Sequence, residues 1–304
     1  MTDISLGTRS SQLARAQAEL VAQALRKDGY DPKLVLMETR GDKVLDRAVH
    51  QIGGKGLFTE ELEQALLSET IDVAVHSLKD LPTQLPKGLT IGAFALPDDR
   101  RDVLLSWGTP LLKLPSGAVL GTSSLRRLAF IKAMRPDLVV KPIRGNLGTR
   151  IEKWRGGQVD ALVLAAAGVL RLGWESLVGE YLDPDVMVPS PGQGILALEV
   201  ASHRHDLVEV LNSLNDSHAQ AAALAERAVL AELGGSCQVP LGAYAQWTGL
   251  ERLRLVAQVA SLDGRRMMRK ETQFAPRDAV KAGAALGGAL KGEGALDLLE
   301  VAGG

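Results

Sequence analysis

The chain reads as an α/β protein of two lobes with doubly wound mixed sheets, followed by a small α+β domain. Three observations lead there. Apolar, β-branched runs of strand length end abruptly in polar residues and alternate with leucine- and alanine-rich stretches at helical spacing, the pattern of βαβ units. The same order of runs occurs twice within residues 1–193. Past Asn215-Asp216-Ser217 the composition turns alanine-rich and then alternating, as in a helix followed by a hairpin.

In the first copy, a brief strand at 4–6 breaks at Gly7-Thr8-Arg9-Ser10-Ser11, and 12–27 carries Leu, Ala and Val at helical spacing until Gly29 stops it. A second strand, 33–37, ends in Glu38-Thr39-Arg40-Gly41-Asp42. A glycine-bearing segment at 43–58 suggests a flap, a helix is expected over 59–68, and a third strand begins near Ile71. The second copy runs through Gly121-Thr122-Ser123-Ser124, a helix at 125–134, a strand ending in Arg144-Gly145-Asn146, a helix at 147–154 and a strand at 159–164. Mixed Pro, Gly and short extended runs at 85–97 and 187–193 read as crossings between lobes, and 195–200 as a strand returning to the first. The expected division is 1–96 with 194–215, then 97–193, then 216–304. In the last part a helix at 217–233 precedes a hairpin about Asp263-Gly264, and a final helix starts near Pro276.

A chain of 304 residues exceeds one core of usual size, which agrees with several domains. With 4% aromatic residues and a net charge of −1, neither base stacking nor a global basic field is available, so nucleic acid is not an expected partner. Anion recognition must come from local clusters. Cys237 is the only cysteine, which excludes an intrachain disulfide and suits a reducing compartment. The N-terminus lacks the basic start and apolar core of a secretion signal, and no apolar run approaches a membrane span. The expectation is a cytoplasmic protein.

The run from Asp72 to Pro82 goes from apolar strand to polar end within a few residues, delivering Lys79 and Asp80 to the carboxyl edge of a sheet, where open α/β folds bind ligands. Asp80 either caps a turn before Pro82 or serves proton transfer and cation stabilisation. Ser124 and its neighbours open a helix whose free N–H groups favour anions, with Arg126 and Arg127 one turn in. Arg9, Ser10 and Ser11 occupy the equivalent place in the first copy, and Arg144, Arg150 and Arg171 follow other strand ends. Guanidinium matches carboxylate as a two-bond fork, so this set suggests a ligand with several carboxylates. Neither Gly-Thr-Ser-Ser nor Gly-Gly-Lys-Gly has nucleotide P-loop spacing. His203 and His205 lack further ligands, so no metal is expected, and His76 reads as a packed neighbour rather than a base. Cys237, in Gly235-Ser236-Cys237-Gln238-Val239-Pro240, is either an inert small residue or a nucleophile that glycines leave accessible.

Together, His76-Ser-Leu-Lys-Asp80, Gly121-Thr-Ser-Ser-Leu-Arg-Arg127, Arg144-Gly-Asn-Leu-Gly-Thr-Arg150 and Gly235-Ser-Cys-Gln-Val-Pro240 resemble the porphobilinogen deaminase (hydroxymethylbilane synthase) family. The resemblance runs nearly end to end, through Thr39-Arg-Gly-Asp42, Gly53-Gly-Lys-Gly-Leu-Phe58 and Gly192-Gln-Gly194. It implies two periplasmic-binding-protein-like lobes and a third domain. It also implies a monomeric transferase of tetrapyrrole (haem) biosynthesis that joins four porphobilinogen molecules head to tail with release of ammonia. A dipyrromethane cofactor is implied on Cys237 through a thioether. By the same resemblance Asp80 is the catalytic carboxylate, and Ser77, Lys79, Thr122, Ser124, Arg126 and Arg127 hold the cofactor. Arg9, Ser11, Gln17, Lys55, Phe58, Arg144, Arg150, Arg171 and Gln193 are implied to meet substrate and growing chain. Two readings compete: a solute receptor, against which the missing secretion signal and Asp80 count, and a lyase forming a Schiff base through Lys79.

Overall fold

The computed structural model describes residues 2–39, 41, 58–234 and 239–300. Lys55, the rest of the expected flap up to Phe58, and Cys237 lie outside the described residues.

The chain enters through β1 (Asp3–Arg9), α1 (Gln12–Lys27) and β2 (Asp31–Met37), and continues with α2 (Glu60–Leu67) and β3 (Val73–Ser77). A 3-10 turn, Leu78–Asp80, and β4 (Leu89–Ala95) follow. After a crossing come β5 (Asp102–Leu105), β6 (Val119–Gly121), α3 (Leu125–Met134), β7 (Val139–Lys141), α4 (Leu147–Arg155), β8 (Ala161–Ala165), α5 (Ala166–Leu170) and β9 (Glu180–Tyr181). A second crossing leads to β10 (Leu196–Ala201) and α6 (His205–Leu211). Then come α7 (Ser217–Glu232), β11 (Leu241–Gly249), β12 (Arg252–Ala260), β13 (Met267–Phe274), α8 (Ala279–Gly292) and α9 (Ala295–Glu300).

The three sheets have orders β2-β1-β3-β10-β4, β7-β6-β8-β5-β9 and β11-β12-β13. In the first, β1 runs parallel to β2 and β3, whereas β10 is antiparallel to β3 and β4. The second repeats this: β6 is parallel to β7 and β8, and β5 is antiparallel to β8 and β9. In each, the antiparallel strand comes straight from a crossing between lobes. The repeat seen in the sequence is thus a repeat of topology, two lobes with mixed sheets of matching layout and a small antiparallel third sheet. Four strands were not foreseen as such: β4, which takes up most of the stretch read as a crossing, and β5, β9 and β11.

Local chemistry sets the helix starts. Ser11, Ser124, Asn146 and Asp216 each accept a hydrogen bond from a backbone N–H three residues on, opening α1, α3, α4 and α7. Val73, Val75, Leu196 and Leu198 bury one face of the first sheet with Ala18, Val21 and Leu25 of α1. In the second lobe, Leu120, Ala161 and Val163 pack with Phe130 and Ile131 of α3, and Val256 and Ala260 of the third domain join the same core.

Two glycines allow close approaches by the third domain, one within it and one onto the second lobe. A Cβ on Gly283 of α8 would lie 2.1 Å from the Ala225 carbonyl oxygen of α7, so the helices cross at backbone contact. Gly264, at φ +73°, presses its turn onto α3, where a Cβ would lie 2.3 Å from the Ala133 nitrogen. The joint between domains is polar and buried: Arg100, in the first crossing, pairs with Glu226 of α7, whose carboxylate also accepts from Gly192 N at 2.8 Å and Ala245 N at 2.6 Å.

Candidate active site

Strand ends and helix starts from both lobes converge where the sequence places its polar residues. In the first lobe β3 ends at Ser77, and the 3-10 turn then presents half-buried Lys79 and exposed Asp80. Gln17, buried on α1, donates to Ser77 Oγ at 3.0 Å, which ties the helix to the strand end. Arg9, the last residue of β1, stacks its guanidinium on the Phe58 ring at 4.2 Å. Ser11 is engaged as the cap of α1.

Arg126 and Arg127, from the first turn of α3, are buried and share one partner. Arg126 Nη1 lies 2.8 Å from Asp102 Oδ2, and Arg127 Nη2 lies 2.8 Å from Asp102 Oδ1. Each also donates to a carbonyl, Val188 and Val163 respectively. Burial alone would raise the Asp102 carboxyl, but the two arginines overcome it and hold the group far below the ordinary carboxylate range. Arg126 keeps a buried Nε without a hydrogen-bond partner among the described residues. Thr122 Oγ1 accepts from Ser124 N at 3.2 Å, and Ser124 Oγ caps α3.

Gln193, fully buried in the second crossing, joins the lobes. Its Nε2 donates to Asp102 Oδ1 at 2.9 Å and to the Arg100 carbonyl at 2.9 Å, and its Oε1 accepts from Lys79 Nζ at 3.3 Å. Desolvation lowers the Lys79 ammonium to about 8; Asp80 resists the fall, and Arg127 adds to it. Arg150 of α4 is lowered to about 10 by desolvation and by the neighbouring charges of Arg127, Arg144 and Arg9, with Asp80 opposing. These couplings place Arg9, Lys79, Asp80, Arg127, Arg144 and Arg150 within electrostatic reach of one another. Cations crowded and desolvated to this degree suit an incoming polyanion, because each carboxylate restores the charged form of the base it meets. The donor set therefore fits a carboxylate-bearing cofactor.

Arg171 stands apart from that group. Its Nη2 donates to the carbonyls of Leu96 at 3.0 Å and Gly194 at 2.8 Å, and its Nε lies 3.5 Å from Asp98, so it braces the two crossings. Asp102, Arg100 and Glu226 were missed from sequence. The one available signal was for Asp102, a lone acid opening the apolar run Val103-Leu104-Leu105. Among the described residues no group of three His, Cys, Asp or Glu side chains could hold a metal, and no helix is long and apolar enough to cross a membrane.

Two family profiles cover the chain in order. That of the porphobilinogen deaminase dipyrromethane cofactor binding domain matches residues 4–209, and that of the porphobilinogen deaminase C-terminal domain matches 220–292. The chain belongs to the porphobilinogen deaminase family. It is 49% identical over 274 residues to the porphobilinogen deaminase of Desulfitobacterium hafniense, covering 88% of each chain. Against that of Halalkalibacterium halodurans it is 43% identical over 304 residues, covering 99% of this chain and 97% of the other. Among solved structures, lipoprotein Tp32 from Treponema pallidum aligns at 16% identity with a TM-score of 0.46, over 70% of this chain and 90% of that one. Membership makes this chain a transferase of tetrapyrrole biosynthesis that uses a dipyrromethane cofactor.

Proposed function

We propose that the chain condenses four porphobilinogen molecules head to tail into hydroxymethylbilane, with Asp80 as the carboxylate that serves each addition and Cys237 as the tether. The observation that carries this is the strand-end turn that presents Asp80 within electrostatic reach of Lys79 and Arg150, cations held below their ordinary values by burial. Each coupling breaks the bond from the aminomethyl carbon to nitrogen, releasing ammonia, and forms a carbon–carbon bond to a pyrrole α-carbon, which then loses its proton. The substrate pyrrole carries positive character between those events. A carboxylate fixed on a turn at the strand end stabilises that charge and takes up the proton. Release would break the carbon–carbon bond from the first unit's methylene to the tether, returning a proton to the tether's pyrrole carbon while water adds at the methylene.

The dipyrromethane, bound through Cys237, supplies the pyrrole carbon at which elongation starts. Lys79, Arg126 and Arg127 are the residues that would hold its carboxylates, with the Ser124 helix start beside them. Ser77 and Thr122 stand at strand ends, one in each lobe. Arg9, Arg144 and Arg150 meet the carboxylates of the incoming unit and growing chain, Phe58, Ser11 and Gln17 border them, and Lys55 is assigned to the same ligand by family resemblance. Arg171 and Gln193 act through the crossings. We further propose the divisions 1–96 with 194–215, 97–193 and 216–304, a monomer, and a cytoplasmic setting.

Intact mass with a turnover assay tests the reading. Purified protein should exceed its sequence mass by two pyrrole units, Cys237→Ser should lose the excess, and Asp80→Asn should fold, yet form almost no tetrapyrrole. Fully active protein with an unmodified Cys237 peptide, or Asp80→Asn at the parental rate, would overturn it.

A further inference from the structure

Behind the Asp80 turn lies a buried set of charged side chains that none of the steps above uses. Glu199 of β10 is fully buried, and His76 of β3 is 5% exposed. His76 Nε2 and Glu199 Oε2 are 3.1 Å apart, and neither Glu199 oxygen gains a well-aligned hydrogen bond from the described residues. Glu63 of α2 faces them. Burial raises its carboxyl, and the Glu199 charge reinforces the rise.

Arg227 comes in from α7 of the third domain. Its Nη1 donates to the Leu81 carbonyl at 3.2 Å and its Nη2 to the Pro82 carbonyl at 2.6 Å, the two residues directly after Asp80. Burial lowers this guanidinium to about 10, and attraction to Glu199 opposes the fall. The turn is therefore held where it leaves, by Arg227 on the two carbonyls after Asp80, while His76 in the strand that enters it pairs with Glu199, whose charge also attracts Arg227. Helix α7 ends at Glu232, and Cys237 follows five residues later.

We infer that Arg227, through its bonds to the Leu81 and Pro82 carbonyls and with Glu199 as a nearby counter-charge, is a positioning residue that registers the Asp80 turn against the helix leading to the cysteine. Neither side chain touches the reacting atoms. Their effect is to fix how far the carboxylate stands from the anchored end of the growing chain, and a shift of the turn misplaces Asp80 at every addition alike. The inference rests on the role of Asp80 given above.

The test uses Arg227→Ala, Arg227→Lys and Glu199→Gln in the full chain carrying its cofactor, with steady-state and single-turnover kinetics on porphobilinogen. Arg227→Ala and Glu199→Gln should lower kcat by about ten- to a hundredfold, the scale on which small misplacements register. KM should stay within about twofold, because ground-state binding is untouched. All additions should slow together. Arg227→Lys, which keeps the charge but not the two-donor fork, should recover part of the loss. A lower melting temperature with parental kcat in folded Arg227→Ala would assign a structural role and overturn the inference, as would stalling at one chain length. Should Arg227→Ala not fold, parental kcat in both other variants has the same force. Inactive Asp80→Asn beside parental Arg227→Ala would remove this inference and leave the role of Asp80 standing.

Discussion

Lys79 condenses the electrostatics of the cleft into one side chain. Its ammonium is taken out of water, and that burial, with Arg127 and Arg126 nearby, outweighs the attraction of Asp80 and Asp102. The sign follows directly. The folded chain releases this proton near pH 8, below the ordinary lysine value of 10.5, so between those limits the unfolded chain binds more protons and the fold gains stability as pH rises. Anion binding runs the other way. Porphobilinogen binding to cofactor-free protein should weaken as pH rises through about 8. Lys79→Arg should flatten that limb, because guanidinium stays charged. Isothermal titration across the range checks it, and an unchanged limb in Lys79→Arg would assign the titration to another group.

Among the elements, the pairing of β5 with α3 matters most. Adjacent helical positions point in different directions, so Arg126 and Arg127 reach a common point only because Asp102, opening β5, offers one oxygen to each. All three side chains are nearly or fully out of solvent. Removing the shared carboxylate leaves two buried cations facing each other, a loss of about 3–5 kcal/mol for a broken buried pair. Asp102→Asn should therefore lower the urea midpoint steeply at neutral pH. The native carboxyl stays ionised to far lower pH than an unfolded one, so the stability Asp102 contributes is present above the ordinary aspartate range and is lost as pH falls below it. The gap between parent and Asp102→Asn should close in acid, and a gap independent of pH would rule the ion pair out as its source.

Across the whole molecule, the two lobes contribute different parts of one crevice. Asp80 and Lys79 come from the first sheet, Arg150 from α4 of the second lobe, and Gln193 in the crossing spans them. Arg100 and Glu226 lock both crossings to the third domain. An arginine that faces Asp80 from the opposite lobe meets the chain as it lengthens rather than when it is first anchored. Arg150→Ala should keep its cofactor mass and accumulate covalent intermediates short of the full length, read as a mass ladder after brief exposure to porphobilinogen. A parental ladder would take Arg150 out of elongation.

Much of this was written in the order of residues. Strand ends breaking into Gly-Thr-Arg and Gly-Thr-Ser, helices opened by Ser11 and Ser124, and the duplicated layout follow from local rules of period, capping and turn chemistry, and they put Lys79, Asp80, Arg126, Arg127 and Arg150 at strand ends or helix starts. The segments misread as crossings or loops, β4, β5, β9 and β11, are short or carry glycine, and they become strands through the neighbours that pair with them. Long-range pairing also decided the electrostatics. Asp102 meets Arg126 and Arg127, Glu226 meets Arg100, and Arg227 meets the Leu81 and Pro82 carbonyls only because separate elements are folded against one another, and a buried charge is satisfied by whatever the fold brings within reach. The sequence determined which groups stand at the edges of the sheets. The tertiary structure decided which charges are spent on one another and which are kept for the ligand, because burial and partner distance belong to the folded chain alone.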